Sequence, residues 1–116
     1  MKIKLLKSKI HRATVTEADL NYVGSISIDA NLLNKAGLNE YEKVHVLDIT
    51  NGSRLETYVI SAPFGSGQIC INGAAAHLIK PDDKVIIISY CSMKNSEAKQ
   101  HSPIIVHVDN NNNVIN

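Results

Sequence analysis

The chain has 116 residues, of which 44% are hydrophobic and 20% are charged, and its formal net charge is +1. This length fits one domain, residues 1–116, which buries roughly 65% of its unfolded surface. The near balance of charge argues against binding to nucleic acid or to an anionic membrane surface. No apolar run reaches the ~18 residues that span a bilayer, and no signal peptide is evident, so we expect a cytoplasmic protein with no membrane association.

Strand patterns predominate along the chain. Short runs rich in β-branched residues, some alternating between apolar and polar positions, are typical of strands. They predict strands over residues 2–16, 42–50, 54–61, 68–72, 84–93 and 104–109. Asn51-Gly52, between the second and third of these, is a strong hairpin-turn signal. Many short strands separated by turns indicate a small β-barrel.

Helical segments are short. Asp29 can cap a helix over residues 30–36, and Gly37 can end it. Residues 73–79 predict one or two helical turns before a proline. Residues 17–21 predict one further helical turn. The predicted fold is therefore built mainly from strands, with a few short helices between them.

The C-terminal segment and the cysteines carry little chemistry by themselves. Residues 110–113 are four successive asparagines, which predict that 110–116 form a flexible tail. Cys70 and Cys91 are too few for a disulfide framework, and their apolar neighbours favour buried, inert thiols. No histidine has metal-ligand spacing relative to these cysteines, so no metal site is predicted.

Gly24-Ser25 offers a route to self-cleavage. A serine hydroxyl can attack the preceding carbonyl, and glycine there has no Cβ to block the attack and can adopt a positive φ. A strained peptide would ease this N-to-O acyl shift. Elimination from the resulting ester frees a chain ending in Gly24, and the dehydroalanine left at position 25 hydrolyses to a pyruvoyl group. The dipeptide alone is a weak signal, because it recurs elsewhere in the chain and usually marks a turn.

Three separated blocks carry a family resemblance. They read KSKIHRATVTEADLNYVGSISID, then TNGSRLETYVI, then INGAAAHLI followed by DKVIIISY. In this order and spacing they resemble the bacterial pyruvoyl-dependent aspartate 1-decarboxylases, and Gly24-Ser25 falls at the family's processing position. The resemblance fades after about Met93, so we infer no functional residue from residues 94–116.

The resemblance implies a fold, an assembly and a reaction. The fold would be a six-stranded double-psi β-barrel with short helices, in a homotetramer with active sites between adjacent subunits. Cleavage would give a β chain of residues 1–24 and an α chain of residues 25–116, and the need for a helper protein stays open. The pyruvoyl group made from Ser25 would form a Schiff base with L-aspartate and draw electrons as CO₂ leaves. The product would be β-alanine, a precursor of pantothenate and coenzyme A, made without metal or pyridoxal phosphate.

The resemblance also implies roles for side chains that meet the substrate. Lys9 and His11 are two residues apart, so they share one strand face, and they match the pair that binds the side-chain carboxylate. Arg54 would clamp the α-carboxylate with its planar fork. Tyr58, four residues further on, is protonated at neutral pH and would give a proton to the carbanion.

A second group of predicted residues takes part in cleavage or in substrate binding. Thr57 would polarise the Gly24 carbonyl during cleavage and would also line the substrate site. On a regular strand Thr57 faces away from Tyr58, so both can reach one site only through a bulge or a second contact. The other substrate-binding positions lie at a strand-to-helix junction, where backbone N–H groups suit a carboxylate. They are Asn72, Gly73, Ala74 and Ala75.

Other classes of protein remain open at this point. Residues 25–49 are similar to the strand, helix and strand of swapped-hairpin DNA-binding regulators, but those are about half this length and a near-neutral chain offers little to phosphates. A non-catalytic barrel that is never cleaved is also compatible, because a fold does not settle a function. A cysteine hydrolase is disfavoured, because no histidine is placed beside either cysteine.

Overall fold

The computed structural model describes residues 1–116 and is mainly β. Its eight strands are β1 (Lys2–Thr14), β2 (Glu17–Asp19), β3 (Ser25–Asp29), β4 (Lys43–Asp48), β5 (Arg54–Ala62), β6 (Ile69–Asn72), β7 (Lys84–Lys94) and β8 (Ile104–His107). The helices are α1 (Ala30–Ala36), α2 (Asn95–Ala98) and a 3₁₀ turn at Gly73–His77. None of these helices has the length and apolar character needed to cross a membrane.

All eight strands join one sheet in the order β2-β6-β3-β5-β4-β7-β1-β8. The pairs β1–β8, β2–β6 and β3–β5 are parallel, and the others are antiparallel. The register of β1 against β7 shifts between Leu6 and Ser8 and again between Ile10 and Ala13, which bends this long strand. The sheet is thus mainly antiparallel and has eight strands where six were expected, and its end strands β2 and β8 are not paired with each other.

The core lies under the sheet and against α1. Alternate residues on β4 and β7, such as Val46 and Ile87, are fully buried, as the period of two in a strand requires. Helix α1 adds Leu32 and Ala36, which are also fully buried. Each large buried side chain contributes about 1.5–3 kcal/mol relative to an exposed one. This apolar layer holds β3, which carries Ser25, in a fixed position.

The ends of α1 confirm the prediction made from its caps. Asp29 Oδ1 accepts a hydrogen bond from the Asn31 N–H at 2.8 Å, and Gly37 ends the helix with φ of 68°. The same carboxylate accepts the N–H groups of Gly65 and Gly67 at 2.8 and 2.9 Å. Asp29 therefore fixes the loop after β5 as well as the helix.

The helical turn predicted over residues 17–21 is wrong. Glu17–Asp19 is a strand that pairs in parallel with β6. The preceding Thr16 donates its N–H to the Ile69 carbonyl at 2.8 Å, and its Oγ1 exchanges two further hydrogen bonds with Ile69. This long-range pairing outweighs a weak local preference for a turn.

Residues 110–116, whose asparagines predict a flexible tail, fold back on the sheet. Asn112 is only 2% exposed and bonds to the backbone of Thr14 and Gly67. Val114 forms a bridge with Val108 just beyond β8. The segment closes the end of the sheet where β1 and the loop after β5 meet.

Candidate active site

Ser25 is the first residue of β3 and follows an exposed loop. Its side chain is 1% exposed, and it pairs across the sheet with Asn72 on β6. Asn72 Nδ2 donates hydrogen bonds to Ser25 Oγ at 2.9 Å and to Ser27 Oγ at 3.0 Å. The hydroxyl of Ser25 is therefore withdrawn from water and held by an amide donor.

A cavity of about 320 Å³ lies beside Ser25. It is lined by Gly24, Ser25, Leu55, Glu56, Thr57, Asn72, Ala74, Ala75 and Leu78. Six of these nine are residues that the sequence predicts for cleavage or substrate binding. The fold thus brings together residues from three separate segments around the Gly24–Ser25 peptide.

Gly73 lies against the backbone that precedes the Gly24–Ser25 peptide. Its φ is 74°, and a Cβ at this position would lie 2.8 Å from the Gly24 Cα and 3.0 Å from the Tyr22 carbonyl oxygen. Gly24 itself does not use a positive φ, in contrast to the conformation that its sequence allows. Ser25 has a φ of 158°, which is close to extended. The close approach of the two backbone segments at this point therefore requires glycine at position 73.

Thr57 and Tyr58 lie on opposite faces of β5. The β4–β5 register is unbroken, with Val44 opposite Thr57 and Lys43 opposite Tyr58, so no bulge turns both side chains to one side. Thr57 lines the Ser25 cavity, whereas Tyr58 is 37% exposed on the other face. Tyr58 does not line this cavity, although the pairing of Ile26 with Val59 turns Ser25 and Tyr58 to the same face of the sheet.

The remaining predicted residues share the face of the sheet that carries Tyr58. Lys9 pairs with Ile88 of β7, which pairs in turn with His45. His45 pairs with Glu56. Directly paired residues point to the same face, so this row and the alternate residues of β5 form one surface, which we call the outer face. The predicted residues on the outer face are Lys9, His11, Arg54 and Tyr58.

The cations of the outer face differ in their pairing. Glu56 binds Lys43 at 3.0 Å and His45 at 3.0 Å, and its hydrogen bond with Lys43 is the largest factor that lowers the pKa of Glu56. Lys9 and Arg54 form no ion pair within the chain. These two charges are therefore free to bind an anion.

His11 is half-buried and stands edge-on to His107, with ring centroids 5.6 Å apart. Burial lowers the pKa of His11, and the charges of Lys9, His107 and Arg12 lower it further. Its Nδ1 is buried and has no hydrogen-bond partner. His11 is therefore suited to donate or accept a hydrogen bond as a neutral ring, while Lys9 supplies the charge.

Two polar residues near Ser25 were missed in the sequence. Ser27 shares the Asn72 amide with Ser25, and Cys70 donates its thiol hydrogen to Asn72 Oδ1 at 3.1 Å. Positions 70 and 72 alternate on one strand, but only the pairing of β3 with β6 shows that they meet Ser25. No group of three or more His, Cys, Asp or Glu side chains is placed to hold a metal ion.

Comparison with known proteins shows the family to which the chain belongs. The model of the aspartate decarboxylase family matches residues 1–115. An aspartate 1-decarboxylase of Corynebacterium efficiens is 64% identical over 111 residues, covering 96% of this chain and 82% of the relative. One of Clostridium kluyveri is 59% identical over 114 residues, covering 98% of this chain and 90% of the relative. With a match from end to end and Gly24-Ser25 set in a built cavity, the chain belongs to the aspartate decarboxylase family.

Proposed function

We propose that this chain decarboxylates L-aspartate to β-alanine and CO₂, using a pyruvoyl group that it makes from Ser25 by cutting itself after Gly24. The observation that carries the proposal is the buried Ser25 hydroxyl, held by Asn72 in the same cavity as Gly24 and Thr57. The names of the curated relatives support the substrate. The match over residues 1–115 favours this activity over a DNA-binding regulator or a non-catalytic barrel.

Self-cleavage begins when Ser25 Oγ attacks the Gly24 carbonyl carbon. The C–N bond between the two residues breaks as an ester forms, and the freed nitrogen of residue 25 takes up a proton. Elimination then releases the Gly24 carboxylate and leaves dehydroalanine at position 25. Water replaces the nitrogen, ammonia leaves, and the pyruvoyl group remains. Thr57 lines the same cavity as Gly24, which supports its proposed role in polarising the Gly24 carbonyl, and the Asn72 N–H would stabilise charge that develops on Ser25 Oγ.

The residues around position 25 fit a pyruvoyl group. The cavity of about 320 Å³ lies directly beside position 25, and Asn72 offers an N–H that can bind a carbonyl oxygen once the hydroxyl is gone. The group would supply the electron-withdrawing carbonyl that makes loss of the α-carboxylate possible. Arg54 would bind that carboxylate through its fork, and Lys9 with neutral His11 would bind the side-chain carboxylate. Tyr58 would return a proton to the α-carbon.

The substrate site is proposed to form between two chains. L-Aspartate carries two carboxylates, yet no lysine, arginine or histidine lines the Ser25 cavity. The unpaired cations Lys9 and Arg54 lie on the outer face. We propose that a second chain presents its outer face to the cavity and supplies them, within a homotetramer of double-psi β-barrels.

Intact mass spectrometry of the purified protein under denaturing conditions tests the proposal. We expect fragments 1–24 and 25–116, with the larger fragment lighter by one ammonia than a free serine terminus requires. Ser25→Ala should remain one chain and form no β-alanine from aspartate. A wild-type chain that stays whole after warm incubation, or a Ser25→Ala chain that is cut, would contradict the mechanism.

A further inference from the structure

A chain of hydrogen bonds leads from Cys70 to Ser25 through one amide. The Cys70 thiol donates to Asn72 Oδ1 at 3.1 Å. The other end of the same amide, Nδ2, donates to Ser25 Oγ at 2.9 Å and to Ser27 Oγ at 3.0 Å. All four side chains are buried or half-buried between β3 and β6. The donor that meets the nucleophile therefore depends on which way the amide is turned.

Only Cys70 distinguishes the two orientations of this amide. Ser25 and Ser27 carry hydroxyls, which donate and accept equally well, so they accept either end of Asn72. A thiol can donate to a carbonyl oxygen, but its sulfur is a poor acceptor for an N–H. The thiol hydrogen of Cys70 therefore favours the orientation in which Oδ1 faces Cys70 and Nδ2 faces Ser25.

We propose that Cys70 is a positioning residue for self-cleavage, which turns the Asn72 amide so that an N–H, and not a carbonyl oxygen, meets Ser25 Oγ. An N–H stabilises the negative charge that grows on Oγ as its proton leaves, whereas a carbonyl oxygen would hold that proton in place. This inference rests on the proposed cleavage at Ser25. It gives the thiol a role in the chemistry without contact with the reacting atoms.

The surroundings of Cys70 keep its thiol protonated. Burial raises the pKa of Cys70, and the charges of Glu17 and Asp19 on β2 raise it further. Cys70 lines a second cavity of about 300 Å³ together with Glu17, Asp19 and Tyr22. No lysine, arginine or histidine lines this cavity. The donor is thus available across the neutral range and is lost only in strongly alkaline solution.

The test is the rate of self-cleavage of freshly made full-length chains, followed by intact mass. Cys70→Ala removes the donor, and we expect cleavage about three- to tenfold slower, the range for one lost hydrogen bond. Cys70→Ser restores a donor at the same place and should return the rate to within about twofold of wild type. Cys91→Ala, at the half-buried second thiol, is the matched control and should cleave as wild type does.

Thermal unfolding of the same variants in the uncut Ser25→Ala background separates positioning from packing. If Cys70→Ser and Cys70→Ala unfold at the same temperature and only Cys70→Ser restores the cleavage rate, the rescue comes from the orientation of Asn72 and not from general stability. A second readout is pH: the wild-type rate divided by the Cys70→Ser rate should fall in alkaline solution as the thiol ionises, because serine does not.

The possible outcomes separate the two proposals. Equal rates for wild type and Cys70→Ala overturn the positioning role and leave the proposed function intact. Slow cleavage in both Cys70 variants also overturns it, because then the site requires the shape of cysteine and not its hydrogen. A wild-type chain that never cleaves overturns the proposed function and this inference together.

Discussion

Gly73 provides the sharpest steric test at the residue scale. Alanine there would place a Cβ 2.8 Å from the Gly24 Cα, in addition to the strain of a φ of 74°. The backbone before the scissile bond would have to move, so we expect Gly73→Ala to slow self-cleavage more than about tenfold, since misplacement by ~1 Å costs a reaction at least that much. The measurement is a time course of the uncut band on a denaturing gel.

Gly52 supplies the control for this substitution. Its φ is 81°, but a Cβ there meets nothing within 4 Å. Gly52→Ala therefore carries the backbone strain of about 1 kcal/mol without the contact. Cleavage should proceed normally in Gly52→Ala. Slow cleavage in both variants would mean that general destabilisation, and not the close contact with the Gly24 backbone, sets the rate.

Asp48 is a buried carboxyl outside the site. It is 2% exposed; its Oδ1 accepts the N–H groups of Thr50 and Asn51 at 2.8 and 3.2 Å, and its Oδ2 has no donor. Burial raises the pKa of Asp48, and the facing carboxyl of Asp83 raises it further. A folded-state pKa above the unfolded one means that the protonated form favours the fold. Stability is therefore lost as the pH rises from the ordinary aspartate pKa through the raised one.

Asp48→Asn should remove this loss. The asparagine oxygen can still accept from Thr50 and Asn51, and its amide can donate to the Asp83 carboxylate. We expect the variant to be more stable than its parent by about 1 kcal/mol at pH 7 and by little at pH 4. Urea unfolding at both pH values, in the uncut Ser25→Ala background, measures it. A variant that is less stable at pH 7 would show that Asp48 is held in its ionised form.

At the scale of elements, the C-terminal segment acts as a clamp through Asn112. Its Oδ1 accepts the Thr14 N–H at 2.7 Å, and its Nδ2 donates to the carbonyls of Thr14 and Gly67 at 2.8 Å each. Because Asn112 has a φ of 63°, Asn112→Gly removes the side chain without backbone strain. We expect a loss of about 2 kcal/mol in the free energy of unfolding, and about 1 kcal/mol more for Asn112→Ala. Equal stability of wild type and Asn112→Gly would mean that the segment is not fixed to the sheet.

Elements with local signals were predictable from the sequence. Helix α1 has an aspartate cap and a glycine end, so its bounds of Ala30–Ala36 match the prediction. Strands β4 and β5 also lie within two residues of their predicted limits, on either side of Asn51-Gly52. These features depend on residues that are close together in the chain, and so a single sequence contains what determines them.

Elements that depend on distant partners were not predictable. Strand β2 exists because Thr16 and its neighbours pair with β6, about fifty residues away, and nothing in residues 17–19 indicates a strand. The four asparagines look like a frayed tail in the sequence, but Asn112 accepts from the Thr14 N–H and donates to the carbonyls of Thr14 and Gly67. Such contacts are set by tertiary packing, which outweighs local propensity.

For the candidate site, the sequence indicates which predicted residues share a strand face, but not how the strands meet around Ser25. Alternation on a strand correctly places Lys9 with His11 and separates Thr57 from Tyr58. The sequence gives no sign that Cys70 bonds the amide that meets Ser25, because that contact needs the register of β3 against β6.

At the scale of the whole molecule, the cavity beside Ser25 has no cation for the dianionic substrate that we propose. Lys9 and Arg54, which form no ion pair, do not line this cavity. Leu20, Tyr22 and Val23, in the loop before the scissile bond, are 51%, 53% and 80% exposed. Exposed apolar side chains of this kind often mark a surface that binds another protein, which supports the proposal that a second chain covers the cavity.

Mixing two inactive variants tests whether the site is shared between chains. Ser25→Ala lacks the source of the pyruvoyl group, and Arg54→Ala lacks the carboxylate clamp, so each alone should be inactive or nearly so. In hybrids made by co-expression, a chain with intact Ser25 can meet a neighbour with intact Arg54. Random assembly of equal amounts makes about a quarter of the sites complete, and we expect about that fraction of wild-type activity.

The matched control is co-expression of Ser25→Ala with a chain that carries both substitutions, which can form no complete site. If Arg54 instead served the Ser25 of its own chain, the first mixture would be as inactive as this control. Activity near a quarter in the first mixture and none in the second therefore requires that the cavity of one subunit is completed by the outer face of another.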